Sequence, residues 1–158
     1  MSRRIVIVDT SVFLNILDVP GRNQHRDQTL NAVESHVWNG DHLYLPVPCI
    51  IETENHIARL PNGRHRYRCA NALVEQATAA LEGQAPWKAV PFSEKDESSD
   101  SALRRWLLDF PSSAQVAMSL TDLTVKDLYE SYCRKFSMSD VGVWALDRHL
   151  SGYQRQVR

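Results

Sequence analysis

The sequence predicts an α/β protein with a mainly parallel central sheet. The run at residues 5–8 is β-branched and apolar without alternation, as in a central parallel strand that is buried on both faces. Strand candidates also alternate with segments of helical periodicity along the chain. The 158 residues, 43% of them hydrophobic, suffice for one domain with its own core, so a single domain over residues 1–158 is expected.

The elements follow in order from apolar spacing and from turn residues. The second strand candidate covers 43–47, a short strand is placed at 89–92, and an apolar run at 141–146 gives another strand. Pro111 is expected to end a helix that starts at Ser101, and the polar stretch 93–100 is expected to be loop. Thr10 and Ser11 are expected to cap the first helix, and the other predicted helices cover 28–38, 50–60, 68–82, 101–110 and 121–135. The helix at 68–82 is expected to bury a stripe, and three tryptophans are expected to be core or half-buried anchors. The stripe consists of Leu73, Ala77, Ala80 and Leu81, and the tryptophans are Trp87, Trp106 and Trp144.

Two strand candidates end in an aspartate, Asp9 and Asp147. In open parallel sheets, ligands gather beyond the carboxyl ends of the strands. We therefore expect the functional site at that edge. A purely structural role is also open: Asp9 alone fits a helix cap, and Asp122, at the start of a later predicted helix, is favoured there by the helix dipole.

Composition excludes several function classes. The net charge of −1 gives no bulk basic field, so any attraction to nucleic acid must come from local patches. Three cysteines without a Cys-x-x-Cys pair argue against a disulfide framework and a cysteine zinc site, and favour a reducing, cytoplasmic setting. The six histidines show no zinc spacing, and no apolar run approaches the roughly 20 residues of a membrane span.

Four segments resemble the motifs of the PIN-domain family, in the family's order. They are the hydrophobic strand, aspartate and Thr/Ser pair at 7–14, the strand and helix with an early glutamate at 45–57, the acidic helix start at 119–122, and the apolar run ending in an acid at 143–150. The resemblance covers about residues 5–153 and implies a three-layer α/β/α fold. Ala145 stands where the family usually has Thr or Ser, and segment 61–118 matches nothing diagnostic, which suggests an insertion.

The resemblance implies a metal-dependent endoribonuclease with Asp9, Glu52, Asp122 and Asp147 as catalytic residues and metal ligands. Glu54 is the alternative to Glu52. Four converging carboxylates would repel each other and raise their pKa values unless a cation sits among them, and Mg²⁺ or Mn²⁺ prefers such oxygen ligands. Asp9 and Asp122 are expected to bind metal most directly.

The other acids and one hydroxyl have supporting roles in this hypothesis. Glu52 is expected to bind metal through water or to orient the nucleophile, and Asp147 to hold a second metal or a water network. Ser11 is expected to hydrogen-bond a ligand carboxylate.

Basic residues suggest where RNA would bind. The densest positive charge lies at 59–68, and its Arg64, Arg66 and Arg68 suit phosphate contacts, as does Arg148 after the last acid. A solvated helix start explains the same run equally well.

Partners follow from the resemblance and from size. Small single-domain members of the family are often toxins, which implies an RNA substrate, a protein antitoxin that blocks the acidic site, and a homodimer. Two alternatives stay open: a non-catalytic module of this fold that binds RNA or protein, and a nuclease that acts on structured DNA. The absence of a Gly-rich phosphate loop and of a Gly-x-Ser-x-Gly elbow argues against nucleotide hydrolysis and acyl transfer.

Overall fold

The computed structural model describes residues 3–91 and 98–157. Along this part of the chain the strands are β1 (Ile5–Val8), β2 (His42–Pro46), β3 (Trp87–Val90), β4 (Val141–Trp144) and β5 (Gln154–Arg155). The helices are α1 (Thr10–Ile16), α2 (Arg26–Asn39), α3 (Val47–Ala58), α4 (Gly63–Glu82), α5 (Ser99–Gln115) and α6 (Leu120–Lys135).

The strands form one sheet in the order β3-β2-β1-β4-β5. β1 pairs in parallel with β2 and with β4, and β2 pairs in parallel with β3. Only the short β5, among the described strands, is antiparallel to its neighbour β4. The predicted α/β class with a mainly parallel sheet is therefore confirmed, and β1 lies at its centre because its residues are apolar on both faces.

Helices cover both faces of this sheet. On one face Phe13 of α1 meets Trp87 edge-to-face at 6.1 Å, and Trp87 is in register with Leu43. The next residue along β2, Tyr44, points to the opposite face, where it meets Tyr132 of α6 at 5.0 Å. The predicted three-layer α/β/α arrangement follows from this alternation.

The helices of the two parallel crossovers β1–β2 and β2–β3 lie on the α1 face, because such crossovers are right-handed and these two run in the same direction. The chain then returns past β1 to β4, which places α6 on the other face. α3 contacts both α1 and α6, so its N-terminal half lies beside the carboxyl end of β1.

Several predicted boundaries were wrong. Val47 begins α3 instead of continuing β2, because Pro46 and Pro48 flank it and Pro48 suits a first helical turn. β3 starts at Trp87, two residues before the predicted position, and the predicted last residue of that strand lies outside the described residues, as does most of the predicted loop at 93–100.

Two helices are longer than predicted. α4 begins at Gly63, since the Asn62 side chain accepts hydrogen bonds from the next turn's amides. α5 continues through Pro111 to Gln115, although a proline there removes one helical hydrogen bond. Leu81 was expected in the buried stripe of α4 and is 72% exposed.

Segment 61–118 supplies part of the sheet and of the core. It contains α4, β3 and α5, and Trp87 and Trp106 from it are both buried, as predicted for these two anchors. That this segment is an insertion stays a prediction. Among the described residues, no helix combines the length and the apolar character that crossing a membrane requires.

Candidate metal centre

Asp9 follows the last residue of the central strand directly. Its backbone amide donates to the carbonyl of Trp144 at the end of β4, at 3.0 Å, so the pairing of β1 with β4 continues to this residue. Asp9 is the N-cap of α1, and its side chain is only 2% exposed. The strand-to-helix junction therefore fixes a buried carboxylate at the carboxyl edge of the sheet.

Ser11 holds this carboxylate in place. Its hydroxyl donates to Asp9 Oδ2 at 2.8 Å, and its backbone amide donates to the same oxygen at 3.2 Å. The Ser11 oxygen also accepts from the backbone amide of Leu146 at 2.9 Å. Ser11 thus connects the Asp9 carboxylate to the segment that leads to Asp147. That this carboxylate is a metal ligand stays a prediction.

Asp122 lies in the first turn of α6 and completes a capping box. Its amide donates to the Ser119 hydroxyl at 3.0 Å, and its Oδ2 accepts from the Ser119 amide at 2.8 Å. One carboxylate oxygen is thereby fixed to the backbone. The structural role considered from the sequence and a place among the converging acids therefore coexist in this residue.

Asp147 lies three residues beyond the end of β4, which corrects its predicted position at the strand end. Its Oδ1 accepts from the backbone amides of His149 and Leu150, at 2.9 and 3.1 Å. Ala145, two residues earlier, offers no hydroxyl, and these two amides orient the carboxylate.

The three aspartates meet at one point. One carboxylate oxygen from each of Asp9, Asp122 and Asp147 lies within 4.8 Å of the other two. Burial raises the pKa of Asp9 from 3.8 to about 7; the Ser11 hydrogen bonds oppose this shift, while the negative charges of Asp147 and Asp122 add to it. A divalent cation would relieve this desolvation and repulsion, and three hard oxygen donors suit Mg²⁺ or Mn²⁺.

Glu52 lies beside this group but is not one of the three residues whose ligand atoms converge. Its Oε2 accepts a hydrogen bond of 2.6 Å from the hydroxyl of Thr10, the residue after Asp9. The buried Cys49 thiol is near both Asp9 and Glu52. Burial raises the pKa of this thiol, and the negative charges of Asp9 and Glu52 raise it further. Glu54 is on another side of α3, where it lines a separate hollow with Tyr67 of α4.

The predicted RNA-contacting arginines lie in different surroundings. Arg66 donates to the carbonyls of Leu60 and Pro61, at 2.5 and 3.2 Å, and so holds the loop between α3 and α4. Arg68 donates to the carbonyl of Asp18 at 2.8 Å and pairs with its carboxylate at 3.7 Å. Arg64 and Arg148 are exposed. Two of the four arginines are thus engaged in contacts that stabilise the fold, and a role in RNA binding stays a prediction.

Sequence reasoning missed two features of the site. Thr10 was considered only as a cap for α1, yet it orients Glu52. A cleft of about 610 Å³ between α3, α5 and α6 was also missed, because its walls come from segments that are distant in sequence. The only signal for this cleft was Arg59, the first residue of the predicted basic run, which lines it.

No family model matches the chain, and no curated protein matches it. A solved structure is similar to it: the crystal structure of FitAcB from Neisseria gonorrhoeae is 19% identical, with a TM-score of 0.48, over 90% of this chain and 87% of that one. A likeness this distant leaves the chemistry of the site to be judged from its own residues.

Proposed function

We propose that this chain is a PIN-type endoribonuclease that depends on Mg²⁺ or Mn²⁺ and hydrolyses phosphodiester bonds in RNA. The observation that carries the proposal is the convergence of Asp9, Asp122 and Asp147 within 4.8 Å at the carboxyl edge of a parallel sheet. A merely structural set of caps would have no reason to bring three carboxylates together at such an electrostatic cost. The four-motif resemblance supplies the reaction class.

The residues fit the proposed metal. Each aspartate has one oxygen engaged by local hydrogen bonds, which orients its carboxylate, and each offers one oxygen to the cluster. A bound divalent ion in such a site activates water for attack on phosphate and offsets the charge that develops on the scissile group. Asp9, Asp122 and Asp147 are the proposed ligands.

Glu52 is proposed to act on the nucleophile. It lies beside the cluster, where Thr10 fixes one of its oxygens and leaves the other to accept a hydrogen bond. A carboxylate in that position orients an attacking water and accepts a proton from it. This role differs from that of the three aspartates, and the difference can be measured.

The test combines calorimetric Mn²⁺ titration with cleavage of a labelled RNA, for the full chain and for three variants. Asp9→Asn should lower both Mn²⁺ affinity and cleavage by about 100-fold or more, since changes to groups that only support a ligand already cost about 10- to 100-fold. Glu52→Gln should abolish most cleavage and change Mn²⁺ affinity far less. Glu54→Gln is the matched control on the same helix and should behave as the unchanged protein.

Two results would contradict the proposal. Mn²⁺-dependent RNA cleavage that survives Asp9→Asn would show that the chemistry lies elsewhere. Metal binding without cleavage of RNA would favour the non-catalytic module instead, and faster cleavage of structured DNA would favour the other nuclease class. A protein antitoxin and a homodimer stay predictions; coexpression with adjacent reading frames and light scattering test them.

A further inference from the structure

A cleft of about 610 Å³ lies between α3, α5 and α6. Glu52 lines it from α3, and Thr121 lines it from α6, one residue before Asp122. Because Glu52 also accepts the hydrogen bond from Thr10, one end of the cleft opens beside the three converging aspartates. A polymer bound at the acidic site would therefore continue directly into this cleft.

The walls of the cleft are apolar, and a hydrogen bond holds one of them in position. Ile51 of α3 faces Leu103 and Trp106 of α5 across it. Trp106 is buried, and its indole N–H donates to Asp127 of α6 at 3.4 Å, which fixes the ring between the two helices. Apolar and aromatic side chains of this kind suit contact with the face of a nucleobase, and the volume lies within the range of small-molecule sites.

Positive charge lies near the C-terminal end of α3, at the part of the cleft that is away from the aspartates. Arg59 lines it, and across the described residues neither its guanidinium nor that of the exposed Arg22 makes a hydrogen bond or an ion pair. Both arginines lie close to His56, a further lining residue. Burial lowers the pKa of His56 from 6.5, and Arg22 and Arg59 lower it further, against the opposing charge of Glu52.

We propose that this cleft binds one nucleotide of a single-stranded nucleic acid, next to the phosphate that is cleaved at the acidic site. The base occupies the apolar part between Ile51, Leu103 and Trp106, and the following phosphate lies against Arg59 and Arg22. The inference rests on the proposed nuclease function for the location of the cleaved bond. The order of residues along the cleft supports the inference: the acidic residues lie at one end, the apolar walls follow, and the arginines lie beyond them.

The test measures binding without catalysis. Fluorescence anisotropy of a labelled RNA pentamer, in EDTA and at low salt, reports affinity when no metal is bound and no cleavage occurs. Leu103→Glu should weaken binding by about tenfold or more, because it removes an apolar contact and places a negative charge in the cleft. Leu108→Glu adds the same charge on the same helix at a leucine that is 82% exposed and does not line the cleft, so it is the matched control.

A second pair of variants tests the phosphate contact. Arg59→Gln should weaken binding of the pentamer and reduce the salt dependence of that binding. Arg134 is an exposed arginine on α6, and Arg134→Gln should change neither. A DNA pentamer of the same sequence, measured in parallel, tells which sugar the cleft prefers. Either preference supports a nucleotide in the cleft.

Two outcomes overturn the inference. In one, Leu103→Glu and Arg59→Gln bind the pentamer as tightly as their controls. In the other, Leu103→Glu converts a dimer to a monomer and leaves pentamer binding unchanged, so that a second copy of the chain occupies the cleft. Failure of the nuclease proposal looks different: the pentamer still depends on Leu103 and Arg59, but Mn²⁺ produces no cleavage.

Discussion

Two charged regions of the molecule differ in how their charges are held. One is the acidic edge, made of Asp9, Asp122 and Asp147, and the other is the basic turn, which is the start of α4 at residues 64–68. The acids come from three distant segments, and one carboxylate oxygen of each lies within 4.8 Å of the others. The arginines are near neighbours in sequence, yet Arg66 donates to the loop between α3 and α4 while Arg68 pairs with Asp18. Charge density along a sequence therefore says less about function than the position of charges relative to strand ends.

The energetic state of the two regions differs as well. In the basic turn, opposite charges and carbonyls satisfy Arg66 and Arg68 at the surface, where such pairs contribute little to stability. In the acidic edge, like charges are brought together and Asp9 is buried. The acidic edge should consequently cost stability in the absence of metal, and the basic turn should not.

The largest expected effect is the pH dependence of stability that Asp9 causes. Its pKa is about 7 in the folded chain and 3.8 when it is unperturbed, so the folded state holds a proton that the unfolded state releases between these values. Metal-free stability should therefore fall as pH rises from about 4 to about 7, and level off above. Each pKa unit corresponds to about 1.4 kcal/mol, which gives a loss on the order of 4 kcal/mol.

Urea unfolding at pH 5 and pH 8 measures the larger part of this loss, on the order of 3 kcal/mol, because about two of the roughly three pKa units lie between these two pH values. Asp9→Asn should remove most of the difference and be more stable than the unchanged protein at pH 8, because the amide oxygen can still accept from Ser11. Saturating Mn²⁺ should restore stability at pH 8 only when Asp9 is present. Equal pH profiles for the two proteins would show that the acidic edge is not strained.

The next effect concerns Ser11, which joins Asp9 to the segment before Asp147. Ser11→Ala removes the hydroxyl group, which donates to Asp9 Oδ2 and accepts from the Leu146 amide. Mn²⁺ affinity should fall by about 10- to 100-fold, as for other groups that orient a metal ligand. Calorimetric titration measures the change.

Ser113→Ala is the matched control for that substitution, since the Ser113 hydroxyl donates only to the carbonyl of Asp109 at the exposed end of α5. If both serine variants bind Mn²⁺ equally well, Ser11 supports the fold and not the metal centre.

The acidic edge could be predicted largely from sequence because local patterns determine two of its members. An apolar strand followed by Asp9 and a Thr-Ser pair specifies a buried strand and a capped helix, and Ser119 three residues before Asp122 specifies a capping box. The parallel pairing of β1 with β4 then brings the segment before Asp147 close to Asp9. The α/β class was predictable for the same reason.

Other features depend on tertiary contacts that no local pattern reports. Asp147 is set by a loop whose amides bind its own side chain, so its distance from β4 was not predictable. β5 has two residues and forms only through pairing with β4. The continuation of α5 through Pro111 depends on contacts along its whole length, because a proline alone favours an end.

The smallest expected effect separates the two regions through a pair of helix caps. Ser119 caps α6 at the acidic edge, and Asn62 caps α4 at the basic turn, where its side chain accepts from the amides of Arg64 and His65 at 2.9 and 3.2 Å. Ser119→Ala and Asn62→Ala should each lower the free energy of unfolding by about 1 kcal/mol. Urea unfolding with and without metal measures both.

Only one of the two cap variants should change metal binding. The Ser119 hydroxyl fixes the Asp122 amide, and through the capping box it fixes the plane of the Asp122 carboxylate, so Ser119→Ala should weaken Mn²⁺ by up to about tenfold. Asn62 has no connection to the three aspartates, and its removal should leave Mn²⁺ affinity unchanged. Equal Mn²⁺ affinities in the two variants would mean that Asp122 is held by its helix alone, and its capping box would then belong to folding and not to the site.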